Sequence, residues 1–291
     1  MSLADPRTDR IASIVLFLAA SVWGLYWLPL RALDAMGIHG AWGVVFFNFC
    51  PLIVLVPLLI RGRRQMLVRP GRVLFIGAAT GLGLGLYSTA IVMAPVIRMT
   101  MEFYLTSVWS TIIGVVWLSE RLDARRIAAV LAGLSGLGLL LSAPSSSAAA
   151  GLGMGDAMAL ASGILWALGA AGMKKWSDIP VVATATLQFL FAVLGGAFLG
   201  VAVLTAHLPP ASTLVAAFPM AFSASTFLLL PSIYAIFWAS RVLYPGRAAI
   251  LMMSEALVAT ITASWFLPEE MLSPWQWVGG AIVLAACVIG R

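Results

Sequence analysis

The sequence predicts an all-α transmembrane protein, a ten-helix bundle made of two inverted five-helix repeats. Three observations support this fold class: the composition, a series of ten apolar segments, and the alternation of positive charge between the loops that join them. Of the 291 residues, 62% are hydrophobic and only 10% are charged, and the mean hydropathy is +1.03. A soluble domain carries about 25% charged residues, so this chain cannot cover a water-facing surface.

Ten apolar segments are close to the length that crosses the hydrocarbon core, which takes about 20 helical residues. Backbone polar groups need partners in lipid, so helices are the expected form. A membrane barrel would need alternating segments of about ten residues, which the sequence lacks. The approximate bounds of the segments are 11–30, 41–60, 73–93, 99–118, 126–142, 154–173, 180–205, 213–238, 248–267 and 274–290.

The positive charges predict the orientation, because cytoplasmic loops carry an excess of Lys and Arg. With the N-terminus inside, the inside segments hold 15 of the 17 Lys and Arg residues, and the outside segments hold only Arg31 and Arg98. A missed helix would scramble this alternation. We therefore expect a multi-pass protein of the cell inner membrane with both termini in the cytoplasm. The net charge of +6 is spread over short loops, so nucleic acid is not an expected partner.

The chain divides into two similar halves at the segment Pro144–Gly151, the most linker-like stretch. The predicted organisation is a first repeat over 1–143, a linker of small and polar residues over 144–152, and a second repeat over 153–291. The spacing from Trp23 to Arg31 equals the spacing from Trp166 to Lys174. Because each half has an odd number of helices, the second half enters the membrane from the opposite side. Inverted repeats are typical of secondary transporters, whose substrate site lies between the halves.

Two local motifs carry a family resemblance. Leu118-Ser119-Glu120-Arg121-Leu122 ends the fourth segment, and Ala132-Gly133 follows in the fifth. Ser254-Glu255-Ala256-Leu257 resembles a Glu-Pro-Val-like segment but departs from it at the proline. At these residues the sequence resembles the drug/metabolite transporter superfamily in its ten-helix form with two EamA repeats. The nearest likeness is to the YddG-type aromatic amino-acid exporters, which the aromatic residues of helices 1, 3 and 4 suggest.

Two carboxylates fall within predicted spans, where an ionisable residue is costly and marks a functional site by default. Glu255 lies near the middle of the ninth span, and Glu102 lies about one turn from the outer end of the fourth. Such a carboxylate can pair with the ammonium group of a zwitterion or carry a proton. The alternatives are a structural hydrogen bond for Glu255 and an interfacial position for Glu102.

Deep aromatic residues form a second group of candidates for substrate binding. A pocket with aromatic walls and a few polar groups suits an amphipathic organic solute, although packing is the alternative role for each residue. Trp109 shares a helix face with Thr106 and Glu102, at offsets of three and seven residues. The aromatic candidates are Trp23, Tyr87, Trp109, Trp166 and Tyr234.

The eighth span contains Pro219 and Pro231. Proline within a helix removes a backbone hydrogen bond and bends the helix, so both residues are candidate hinges for alternating access or the causes of static bends.

The sequence shows no catalytic constellation, metal motif or nucleotide-binding loop, so neither enzymatic activity nor a cofactor is expected. The two cysteines, Cys50 and Cys287, fall within apolar segments and are interpreted as packing residues. The predicted function is secondary export of amino acids, with aromatic or other bulky apolar ones favoured. Protons are a candidate coupling partner, and flux down the solute gradient is the alternative. A nucleotide sugar, a sugar phosphate or an amphipathic drug remain alternative solutes.

Overall fold

The structure, a computed structural model, describes residues 6–62, 69–93, 99, 102–121, 123–140, 153–203, 207–266 and 273–289. Within these ranges every regular element is helical. The predicted linker 144–152 and Arg98 lie outside them. The helices are α1 Pro6–Trp23, α2 Trp27–Ala35, α3 Gly40–Arg61, α4 Pro70–Met93, α5 Thr106–Leu118, α6 Ala124–Leu140, α7 Met154–Lys175, α8 Val181–Ala202, α9 Ala211–Ser223, α10 Leu230–Val242, α11 Pro245–Met252, α12 Ser254–Phe266 and α13 Pro274–Ile289.

Each of the ten predicted spans contains helix, which confirms the predicted fold class. Six stretches of the described chain are long and apolar enough by themselves to cross a membrane: 7–35, 40–61, 70–91, 154–175, 181–202 and 211–242. The other four spans are shorter or interrupted helices. They are the fourth (102–118, with a turn at Leu105), the fifth (α6), the ninth (α11 and α12) and the tenth (α13).

The main contacts between spans are the same in the two halves: each of the following contacts has a counterpart made by the spans five positions later, where span 10 is followed by span 1. Span 3 packs along span 6, and span 8 packs along span 1. Span 4 packs on span 6, and span 9 packs on span 1. Spans 2 and 7, spans 4 and 9, and spans 5 and 10 pair with each other. The spans of the two halves therefore occupy equivalent positions, and the pairs named above join a span of one half to a span of the other.

Glycines allow the closest helix contacts between the halves. The GxxxG residues of α4 face α8: a Cβ on Gly77 would overlap the Leu187 side chain, and a Cβ on Gly81 would overlap the Gln188 carbonyl. Gly200 of α8 packs against Ala41 of α3. Because the hydrophobic effect does not drive helices together within lipid, close van der Waals packing of this kind stabilises the bundle.

The cationic ends of the helices meet on one face, which is called the basic face below. Three ion pairs join elements there: Arg247 with Asp9, Arg69 with Asp178, and Arg126 with Glu120. These residues lie at the start of α1, α4, α6 and α11 and after the ends of α5 and α7. The charge alternation of the sequence assigns all six of these positions to one side of the membrane. The structure likewise places these six residues on one face.

The eighth span is irregular where its prolines predict a disturbance. Residues Ala224–Leu229 form a π-helical segment between α9 and α10. Pro231 follows it in the first turn of α10, a position that tolerates proline. Pro231 cannot donate to the carbonyl four residues earlier, and the widened turn lies directly before it. Pro219 lies inside α9, where the Ser223 hydroxyl donates to its carbonyl at 2.6 Å.

Spans 1 and 9 are both interrupted, and their interruptions are in contact. Residues 24–26 form a turn between α1 and α2, and Met253 separates α11 from α12. A Cβ on Gly24 would come within 2.5 Å of the Glu255 carbonyl oxygen. The two broken spans therefore approach at backbone distance, and only glycine fits at position 24.

Candidate substrate cavity

A small cavity lies between the two halves. Span 4 of the first half contributes Phe103, Tyr104, Thr106 and Ser110, and the second half contributes Trp166, Ser240 and one face of α11 ending at Met252. The cavity volume is about 10 Å³, which holds about one water molecule at most. The cavity in this conformation is too small for an organic solute.

Aromatic rings form much of the cavity wall. The rings of Phe103 and Tyr104 meet edge to face, with 5.4 Å between centroids, and Tyr87 packs behind Phe103 at 4.5 Å. Trp166 of α7 supplies the aromatic ring on the side of the second half and is buried. Spans 3, 4 and 6 position these rings because α4 and α5 both pack on α7.

Hydroxyl groups supply the polarity of the wall. Thr106 Oγ1 donates to the Gly163 carbonyl at 2.8 Å, a bond that ties span 4 to span 6. In the other half, Ser254 Oγ donates to the Phe17 carbonyl at 3.0 Å and ties span 9 to span 1. The hydroxyl bonds thus follow the same repeat as the helix contacts.

Glu255 lies just after the interruption of the ninth span. It is 6% exposed. The Tyr104 hydroxyl donates to the Met252 carbonyl at 3.2 Å and also interacts electrostatically with the Glu255 carboxyl group. The carboxyl group is thereby connected to the cavity wall through Tyr104.

The structure separates the predicted site residues into groups. Trp166 and Thr106 line the cavity, while Tyr87 packs behind Phe103 and Glu255 contacts Tyr104. Trp23 lies elsewhere: it stacks on Tyr26 at 5.2 Å, and the Tyr26 hydroxyl accepts a hydrogen bond from buried Asn48. Trp23 packs within the core at the turn in the first span.

The predicted face of Glu102, Thr106 and Trp109 is only partly realised. The turn at Leu105 divides the fourth span, so Glu102 is not continuous with α5. Glu102 and Trp109 are both half-buried, and only Thr106 of the three lines the cavity. The spacing of these three residues predicts a shared face only if the helix is unbroken, and the turn at Leu105 interrupts it.

Tyr234 is not brought to the cavity. It lies on the outer surface of α10 with 48% of its area exposed. The buried face of α10 carries Ile233, Ile236, Phe237 and Ser240, which follow the helical spacing of three and four residues. Tyr234 is outside that row, while Ser240 at its end reaches the cavity.

Several functional candidates were not selected from the sequence. Phe103, Tyr104, Ser110 and Ser240 all line the cavity. The pair Phe103–Tyr104 next to Glu102 is a signal that could have found two of them. Ser110 and Ser240 resemble any small polar residue within an apolar span.

A metal centre is absent from the part of the chain that the structure describes. No group of three or more His, Cys, Asp and Glu residues there comes together in a way that could hold a metal ion. Cys50 and Cys287 are buried free thiols. His39 instead contacts Asp34 at 2.7 Å on the exposed loop after α2.

The model of the EamA-like transporter family matches residues 10–142 and again residues 153–290. A crystal structure that is 17% identical superposes with a TM-score of 0.70 and covers 96% of both chains, which is a likeness of fold. No curated protein matches the sequence significantly. Because the family model covers nearly the whole chain, this multi-pass membrane protein belongs to the EamA-like transporter family of the drug/metabolite transporter superfamily.

Proposed function

We propose that the protein is a secondary exporter that moves amino acids out of the cytoplasm, with aromatic or other bulky apolar ones favoured. Transport proceeds by alternating access through the cavity between the two halves. The observation that carries the proposal is the aromatic wall of Phe103, Tyr104 and Trp166 at this boundary. A concave, mostly apolar site with a few polar groups suits an amphipathic organic solute.

Glu255 and Tyr104 provide the polar end of the proposed site. A zwitterionic amino acid presents an ammonium group, and a buried carboxylate is its natural partner. The apolar side chain then packs against Trp166 and Phe103. The same carboxylate is a candidate carrier of a coupling proton. Flux down the solute gradient remains the alternative to proton coupling.

Phosphorylated solutes are the less favoured alternative. A sugar phosphate or nucleotide sugar needs cationic ligands near the site. Two cations at span ends, Arg126 and Arg247, are ion-paired with Glu120 and Asp9 on the basic face. Amphipathic drugs fit the same aromatic wall, and only a flux comparison distinguishes them from amino acids.

The proposed arrangement in the cell follows from the charges. The basic face lies in the cytoplasm with both termini, and the protein resides in the cell inner membrane. The first repeat covers 1–143 and the second 153–291, joined by the linker 144–152. A reporter fused after Arg291 that reads external would contradict this orientation.

Flux into proteoliposomes tests the proposed function. Purified protein is reconstituted, and uptake of labelled phenylalanine, tryptophan, leucine and alanine is compared with uptake of a sugar phosphate and a cationic drug. Faster uptake of the bulky amino acids into proteoliposomes than into protein-free liposomes supports the proposal. Flux of none of the amino acids contradicts it. Repeating the assay with an imposed pH gradient separates proton coupling from facilitated diffusion.

A further inference from the structure

The short helix α11 is both a wall of the cavity and part of the basic face. Its residues Ala248, Ala249 and Met252 line the cavity, while its first turn carries Arg247 on the basic face. Leu243 before it is extended, and the single turn residue Met253 separates it from α12. An element bounded in this way can move as a unit about its ends.

A first contact holds the start of α11 to the opposite half. Arg247 donates to the Asp9 carboxylate through Nη1 and to Ser13 Oγ through Nη2, the latter at 2.8 Å. Both acceptors lie on α1. Ser13 is buried, and the arginine side chain is only 14% exposed. The contact is therefore shielded from water more than an ordinary surface ion pair, which contributes little.

A second contact holds the residue before Arg247. Ser119 is left-handed at φ 54°, and this turns the chain so that Glu120 N donates to the Gly114 carbonyl at 3.0 Å. The Glu120 side chain forms an ion pair with Arg126 and lies beside Gly246, where an added Cβ would be 3.8 Å from Glu120 Oε1. Burial raises the pKa of Glu120, and the positive charges of Arg126 and Lys174 act in the opposite direction.

The loop before α11 is held by cations from both halves. Lys174 of α7 donates to the Val242 carbonyl, and its Nζ lies 4.6 Å from the centroid of the Tyr244 ring. The Arg126 guanidinium lies 5.8 Å from the centroid of the same ring. Tyr244 thus contacts one cation of each half. At the other end of α11, Tyr104 bonds the Met252 carbonyl.

We propose that α11 is the gate of the cavity on the basic face, and that the Asp9–Arg247 and Glu120–Gly246 contacts hold it closed in this conformation. When these contacts are weakened, the first turn of α11 swings away from α1 and α5 while its end stays near Tyr104, so loss of either contact favours opening. The cavity then opens to the basic face past Pro245 and Ala249. The inference rests on transport by alternating access but on no particular substrate.

Cysteine labelling tests the gate without any substrate. In a background with Cys50→Ala and Cys287→Ala, Ala249→Cys places a single thiol on the cavity wall. Inside-out vesicles expose the basic face to a membrane-impermeant maleimide. Asp9→Asn removes a charged hydrogen bond and is expected to raise the labelling rate about tenfold. The reversed pair, Asp9→Arg with Arg247→Asp, is expected to return it toward the starting rate.

A matched control keeps the experiment specific. Asp178→Asn breaks the exposed Arg69–Asp178 ion pair on the same face without touching α11 and is expected to leave labelling unchanged. An unchanged rate in Asp9→Asn, or an equal rise in Asp178→Asn, overturns the gate. Elution profile and melting temperature in detergent verify folding, and Ser13→Ala provides a milder second variant, expected to raise labelling less. If the amino-acid flux assay fails while these labelling results hold, the substrate assignment fails and the gate stands.

Discussion

Tyr104 donates a hydrogen bond to the Met252 carbonyl, 3.2 Å away, and so joins the fourth span of one half to the interrupted ninth span of the other. The same hydroxyl interacts electrostatically with the Glu255 carboxyl group. A change in the hydrogen bonding of the Tyr104 hydroxyl therefore affects a contact between the two halves. This relationship places Glu255 and Tyr104 first among the residues whose substitution should change transport.

Glu255→Gln is expected to lower amino-acid flux by at least about tenfold, because an amide cannot neutralise an ammonium group or carry the proton. Tyr104→Phe removes only the hydroxyl and is expected to have a smaller effect of the same sign. Proteoliposome flux, normalised to the amount of reconstituted protein, measures both. Normal flux in Glu255→Gln would remove this carboxyl group from the mechanism.

Trp166→Ala removes the aromatic wall that the second half contributes. Loss of this contact area is expected to weaken binding of phenylalanine and tryptophan more than binding of alanine, which shows as a raised KM for the bulky solutes. The control is Trp275→Ala at the start of α13, where the side chain is 70% exposed. An equal effect of both substitutions on all solutes would contradict a role of Trp166 in the cavity.

Gly24→Ala tests the contact between the interrupted spans. The added Cβ would come within 2.5 Å of the Glu255 carbonyl oxygen and within 2.9 Å of the Val258 Cβ. Overpacking of this kind costs about 1–3 kcal/mol, so a lower melting temperature in detergent is expected. Gly71→Ala on α4 is the control, since a Cβ there meets nothing within 4 Å. Equal melting temperatures for the two variants would show that the spans separate easily at Gly24.

Pro231→Ala tests the eighth span as a hinge. Alanine restores the backbone N–H, so the π-helical segment before it can convert to regular α-helix. The expected result is slower flux at saturating substrate, with a melting temperature that is unchanged or higher. Pro219→Ala, inside α9 and away from the π-helical segment, is expected to slow flux less. If neither variant alters the flux, the bends of this span are static.

The positions of the spans were predictable because lipid restricts the backbone. Each unpaired backbone group is costly in hydrocarbon, so an apolar segment of sufficient length has to be helical. The sequence bounds contain α3, α4, α7 and α8 to within a few residues. The interruptions at residues 24–26 and Met253 were not predicted, since both lie within segments that read as continuous apolar helices.

The cavity residues were predictable only in part. Trp166 and Thr106, two of the predicted site residues, line the cavity, whereas Tyr234 faces outward and Tyr104, which was not predicted, lines the cavity. Tyr104 and Tyr234 are both tyrosines within apolar spans. Their local sequences do not show which side of the helix meets another helix.

The sequence by itself determined the number of spans, their grouping by charge and the division into two repeats. Those features depend on length, polarity and order along the chain, and the surrounding lipid and water enforce them. The tertiary structure decided which aromatic residues meet at the boundary of the halves and that α11 joins the cavity to the Asp9–Arg247 contact. Lipid solvates an aromatic ring about as well as a neighbouring helix does, so only the packing of the helices distinguishes the two environments.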